Sequence, residues 1–293
     1  MSPKIYLILA SLMFGSIGVV TRYLPFGSEM ISLARSLIGG LFVLLFVIIA
    51  KRKIDFAAVK KNLTLLILSG AALGINWVLL FESYQNINIS TATVCYYIAP
   101  VIVTVASPIF LKEKLSFWSV VCVLTALLGL IFVTGVGTET ADNFLLGVTY
   151  AISAAVLYAA IIIMNKKITD LGGIERTLIQ LGVSAAIMLP YTAITGAFLA
   201  DGASFWSILV LLFAGIVLTG VVYLLFFSAI DKVSAQAISV ILYVDPITAI
   251  ILSSIIFAER MTLMQIFGTI LILGATFVNE VALNKKQITE ETA

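Results

Sequence analysis

Ten stretches of 17 to 25 residues run through this chain with almost no charge in them, and nothing constrains its fold more. They are Ile5–Thr21, Met30–Ala50, Leu63–Phe81 (continuing through Glu82 to about Gln85), Ile87–Leu111, Leu115–Val136, Phe144–Asn165, Thr177–Leu199, Trp206–Ile230, Val233–Phe257 and Met261–Asn279. A helix needs about 20 apolar residues to cross the hydrocarbon of a bilayer, whereas a membrane β-strand needs about 10 residues of alternating pattern. Their length and unbroken apolarity predict an all-α polytopic membrane protein of ten transmembrane helices. The first stretch follows a single Lys4 and has no small-residue cleavage pattern behind it, so it reads as a retained span.

Composition excludes much else. Of 293 residues, 61% are hydrophobic and 11% charged, against about 25% charged in a soluble domain. A net charge of +2 gives no footprint for nucleic acid. The chain has no His, and its two Cys, Cys95 and Cys122, lie in separate apolar runs. Neither a metal site nor a cofactor is indicated, and no catalytic constellation argues for an enzyme. The connections are short and contain no G-x-x-x-x-G-K-[ST] phosphate loop. Any transport would draw on a gradient or on exchange.

Lys and Arg set the expected orientation. Fourteen of the 17 lie at the N-terminus, in the even-numbered loops or after the last span, from Lys4 and the Lys51–Lys61 cluster to Lys285 and Lys286. Only Arg22 and Arg260 fall in odd-numbered loops, and Arg35 lies inside a span. Both termini are expected on the cytoplasmic side of the cell membrane.

The chain repeats itself. Pro100 precedes Glu113 by thirteen residues and Pro246 precedes Glu259 by thirteen, with Tyr97 and Tyr243 at the same offset of 146. Lys-Glu-Lys-Leu-Ser at 112–116 corresponds to Ala-Glu-Arg-Met-Thr at 258–262, and the following runs end Gly129…Val133 and Gly274…Val278. The predicted division is 1–138 and 139–293, five helices each. Because five is odd, the second half would enter the membrane in the opposite sense to the first. Such inverted repeats put a site near the midplane, where it can open to either side in turn.

At these residues the sequence resembles the EamA type of the drug/metabolite transporter superfamily. The resemblance runs from Phe14-Gly15-Ser16 to Gly274. It implies two inverted five-helix repeats, a central cavity, peripheral fifth and tenth helices, and cargo that ranges from amino acids and amines to drugs.

Several residues stand out within the spans. Glu82 and Asp245 are acids in apolar surroundings, tolerated only where they face a cavity or a partner. They could bind an amine or carry a proton. Arg35 and Glu82 lie at similar depth and could instead form an ion pair. Pro100 and Pro246, mid-span in corresponding helices, are candidate hinges. Trp77, Phe81 and Tyr84 fall on one helical face, and Tyr96 shares a face with Pro100. With Asn76, Tyr158, Tyr223 and Tyr243 they could line a pocket for an ammonium group by cation–π attraction. Each could equally be packing. Gly70-x3-Gly74 and Ser36-x3-Gly40 read as close helix contacts, and Asn165 as an interhelical hydrogen bond.

The function expected is a secondary transporter or exchanger moving a small amphipathic metabolite (an amine, an amino acid or a related organic cation or zwitterion) by alternating access. A multidrug or organic-cation efflux carrier of the same fold is the alternative, and a passive channel a weaker one. The partners expected are a small-molecule substrate, the lipid bilayer, and protons or a counter-substrate, with the chain acting as a monomer or homodimer.

Overall fold

The computed structural model describes residues 2–112, 117–134, 143–197, 203–230, 241 and 244–291. Every regular element among them is a helix. They are α1 (Pro3–Arg22), α2 (Ser28–Ile49), α3 (Phe56–Lys61), α4 (Leu63–Asn86), α5 (Ile89–Tyr96), α6 (Ala99–Phe110), α7 (Phe117–Thr134), α8 (Phe144–Lys167) and α9 (Gly173–Thr195). Then come α10 (Phe205–Gly215), a π-helical turn (Ile216–Val221), α11 (Val222–Ile230), α12 (Val244–Ile256) and α13 (Leu263–Glu291). Seven of the described helices are long and apolar enough to cross a membrane, counting Ile89–Phe110 and Phe205–Phe226 each as one. Three shorter apolar helices, Phe117–Val133, Val244–Ile256 and Leu263–Ala275, lie in the predicted fifth, ninth and tenth spans.

The helix expected across Ile87–Leu111 is broken. Tyr97 and Ile98 leave the helix between α5 and α6, and Pro100 stands in the first turn of α6. Proline has no N–H, so position 100 cannot donate to the Tyr96 carbonyl four residues earlier and the helical hydrogen-bond ladder is interrupted there. Tyr96 and Pro100 therefore belong to different helices and do not share a helical face. Pro246 sits buried in the first turn of α12. The segment just upstream of α12, which includes Tyr243, lies outside the described residues.

Packing crosses the chain midpoint repeatedly. α1 lies on α11 and α12, α8 on α4 and α6, α2 on α9 and the π turn, and α4 on α9. The small-residue spacings serve this closeness: a Cβ on Gly70 would meet Val183, and one on Gly74 would meet Ser184 and Met188. Ser36 and Ser184 share a hydrogen bond of 2.6 Å across α2 and α9. Asn165 accepts from Gln180 at 2.7 Å, as an interhelical polar group should.

α7 and α13 pack chiefly on each other, to one side of the bundle. Their crossing uses Gly129 and Gly268. A Cβ on Gly129 would lie 2.7 Å from the Gly268 carbonyl, and one on Gly268 2.5 Å from that of Gly129. Gly274, which corresponds to Gly129 in sequence, has nothing within 4 Å of such a Cβ.

Candidate functional site

The break at Tyr97 brings two parts of the chain together. The Tyr97 hydroxyl donates to Asp245 Oδ2 at 2.6 Å, joining the α5–α6 break to the first turn of α12. Asp245 also favours that turn as an anion near the positive end of the helix dipole. α1 can lie this close to α12 because residue 15 is glycine: a Cβ there would strike the Asp245 carbonyl oxygen and Thr248 Cβ. Asp245 and Tyr97 are half-buried.

Aromatic rings extend from this pair. Tyr96 stacks on Tyr158 with centroids 5.3 Å apart and meets Tyr97 edge-on at 6.3 Å. The Tyr96 hydroxyl points to Asn76 Oδ1 at 3.4 Å. Asn76 is buried, and its amide nitrogen donates to the Ala154 carbonyl of α8 at 2.6 Å. Both ends of that amide are used by the protein, so Asn76 holds Tyr96 and α8 in place. Tyr223 packs edge-on against Phe14 of α1 at 5.7 Å.

Arg35 forms the second pole. It is 2% exposed, its Nε–H donates to Thr219 Oγ1 at 3.0 Å, and its guanidinium carbon lies 4.0 Å from the Trp77 ring centroid and 5.4 Å from that of Phe81. The π turn explains Thr219's reach. The extra residue per turn lets Thr219 Oγ1 bond back to the Ala214 carbonyl, five residues earlier, while the oxygen accepts from Arg35. Tyr84, Tyr96 and Tyr223 all lie within electrostatic reach of Arg35, and Tyr84 within reach of Asp245 as well.

Of the two readings open for Glu82, the ion pair with Arg35 does not occur among the described residues. The rings and Thr219 take the guanidinium instead, because the α4 face turned toward Arg35 is that of Trp77 and Phe81. Glu82, one residue on, points about 100° away around the helix. It is half-buried, and its carboxylate has no hydrogen-bond or ion-pair partner among the described residues. The structure thus gathers Arg35, Asn76, Trp77, Tyr96, Tyr158, Tyr223 and Asp245 into one region and leaves Glu82 outside their contacts. Two members were missed from the sequence. Thr219 carries no signal there, but Tyr97, three residues before Pro100 as Tyr243 is before Pro246, could have been singled out.

A second polar cluster joins the end of α1, the start of α5 and the segment after α12. Arg22 Nη1 pairs with Glu259 Oε1 at 2.5 Å, and Glu259 also accepts from the backbone N–H groups of Ile89 (3.1 Å) and Ser90 (3.3 Å) at the start of α5. Ser90 and Ser253 share a further bond of 2.6 Å. Ala258, just before Glu259, has a left-handed backbone, φ 53°, and so does Lys112, at the corresponding place before Glu113, φ 59°. Arg22 lies 5.0 Å from the Phe257 ring centroid, and Lys167, closing α8, lies 5.6 Å from that of Phe110. Among the described residues, no group of three Cys, Asp or Glu converges that could hold a metal.

Comparison with known proteins bears on this architecture. The EamA-like transporter family matches twice, over residues 1–135 and 145–280. "Uncharacterized transporter YxxF" of Bacillus subtilis (strain 168) is 29% identical over 272 residues, which is 92% of this chain and 86% of that one. "Uncharacterized inner membrane transporter YicL" of Salmonella typhimurium is 23% identical and covers 92% of both chains. "Solute carrier family 35 member G1" of Mus musculus is 28% identical over 50% of this chain and 46% of its own. A solved crystal structure at 14% identity superposes with a TM-score of 0.64 over 97% of this chain and 98% of its own, a likeness of fold. The chain belongs to the EamA-like transporter family, as a multi-pass membrane transport protein and not an enzyme.

Proposed function

We propose that the chain is a secondary carrier or exchanger for a small amphipathic organic cation or zwitterion, working by alternating access. Residues 1–138 and 139–293 form two inverted halves of five spans each in the cytoplasmic membrane, with both termini in the cytoplasm. The Tyr97–Asp245 hydrogen bond carries this reading. It ties the helix break of the first half to the corresponding Pro-bearing helix of the second, which is where a midplane site between inverted repeats belongs. The exchange of partners between halves supports it too, since α1 lies on α12 as α8 lies on α6. So do the matching left-handed residues Lys112 and Ala258.

In this mechanism Asp245 receives the ammonium group of the cargo or a proton, and the rings of Tyr96, Tyr97 and Tyr158 offer their faces to the same charge. Pro100 and Pro246 act as hinges. Cargo or a counter-substrate on the far side speeds the return of the loaded carrier. Reconstitution into liposomes tests this directly. Uptake of a labelled amine or amino acid should saturate and should accelerate when the same compound is preloaded inside. Asp245→Asn should abolish that acceleration and keep the wild-type melting profile. Flux that never saturates, or a wild-type rate in Asp245→Asn, would overturn the assignment.

A further inference from the structure

Arg35 holds more hydrogen-bonding capacity than the protein around it uses. An arginine offers five N–H donors in a rigid planar fork. Only the Nε–H is taken up, by Thr219, and the two terminal nitrogens have no acceptor among the described residues. None of the acids in the ion pairs of the described residues, Glu175, Asp170 and Glu259, faces it. Yet neither terminal nitrogen is both sealed from solvent and unpartnered, as the Arg176 Nε atom is. The fork is therefore positioned by Thr219 on one edge and by Trp77 on one face, with its terminal N–H groups left without a protein acceptor among the described residues.

A cation held inside a membrane span without an anion nearby marks a functional site by default. The chemistry of the open edge narrows what fits. Two parallel N–H groups match the two oxygens of a carboxylate, and a planar guanidinium stacked on an indole is already fixed in the orientation such a pair needs. Tyr84 lies within electrostatic reach of both Arg35 and Asp245, so the tyrosines stand between an anion-accepting pole and a cation-accepting one. We propose that Arg35 is the carboxylate-recognition residue of the cargo site, and that the cargo is zwitterionic, with a carboxylate on the Arg35 fork and an amine toward Asp245. The proposal rests on the carrier reading and narrows it, since a simple organic cation would leave Arg35 unmatched.

Trp77 provides a reporter that does not depend on transport. The other two tryptophans, Trp118 and Trp206, are 63% and 73% exposed, so Trp118→Phe with Trp206→Phe leaves emission from the ring under Arg35. That protein is titrated with the common amino acids, with their carboxamides, and with the amines lacking the carboxylate. Some amino acids should shift Trp77 emission. Their amides and amines should need concentrations about tenfold higher or more, the loss expected when a charged hydrogen-bond partner is removed. Arg35→Gln should abolish the preference, and Arg35→Lys, which keeps the charge without the fork, should weaken it. The proposal fails if amines and amides titrate as well as the amino acids, or if no carboxylate compound moves the signal. Saturable counterflow of amines alone, in the liposome assay, would sink the proposal and leave the carrier standing. Absence of any counterflow alongside a carboxylate-dependent Trp77 shift would keep the binding assignment and remove the carrier.

Discussion

Arg22 and Glu259 lie 237 residues apart in the chain and form an ion pair of 2.5 Å. The same carboxylate accepts from Ile89 and Ser90, so one buried side chain ties the end of α1 to the beginning of α5. Glu259 acts as an N-terminal cap supplied from a distant part of the sequence, with the favourable dipole sign for an anion. α5 also packs on α12, which precedes Glu259.

Glu259→Gln should keep an acceptor for α5 but lose the charge. Its cost should be about 1.5–3 kcal/mol, the range for hydrogen bonds to ionised groups. Glu259→Ala should cost more, because the two N–H groups at the start of α5 then lose their cap. Thermal unfolding of Glu259→Gln, Arg22→Gln and the double variant in detergent checks the pairing. The double variant should lose less than the two single losses combined; simple additivity would mean the pair contributes nothing.

The α7–α13 crossing should discriminate sharply among glycines. Gly129→Val or Gly268→Val pushes a side chain into the facing carbonyl and should destabilise by about 1–3 kcal/mol or separate the two helices, as overpacking does. Gly274→Ala meets open space. Beyond a small gain in helix propensity, it should leave the melting temperature unchanged. Circular-dichroism melts of the three variants decide the matter.

Acid pH should touch one exposed contact. Asp170, at the turn between α8 and α9, accepts from Lys61 Nζ at 2.8 Å and from Thr169 Oγ1 at 3.1 Å. The Lys61 hydrogen bond, then that of Thr169, holds its carboxyl below the ordinary value. A carboxyl lowered in the folded state adds stability that is present above the unfolded value of about 3.9 and is lost as pH falls through the folded one. Asp170→Asn should therefore lower stability slightly at neutral pH and leave the acid end unchanged, which flattens the acid limb of a stability–pH profile. Salt should mute the difference, since both side chains are more than 60% exposed.

Hydropathy made the helical membrane class legible, because a chain this apolar has only one solvent to fold in. Spacing made the Pro-to-Glu recurrence legible, but not the break at Tyr97–Ile98, which divides a span that reads as one helix in the sequence. The aromatic face of α4 followed from the helical period alone. Partners across the bundle did not. Glu82 looked as good a mate for Arg35 as anything in the sequence, and the difference lies in about 100° of helix rotation.

What the amino-acid order settled by itself was the solvent, the helical class and the recurrence of one pattern along the chain, because each depends on neighbours within a few turns or on simple counting. Only tertiary structure decided that Tyr97 meets Asp245, that a π turn brings Thr219 to Arg35, and that Gly268 and not Gly274 faces Gly129. Those depend on how rigid helices rotate and slide against one another in three dimensions, and many such arrangements bury the same apolar faces. The ones adopted are set by small residues that permit close approach and by buried polar groups that must each find a partner.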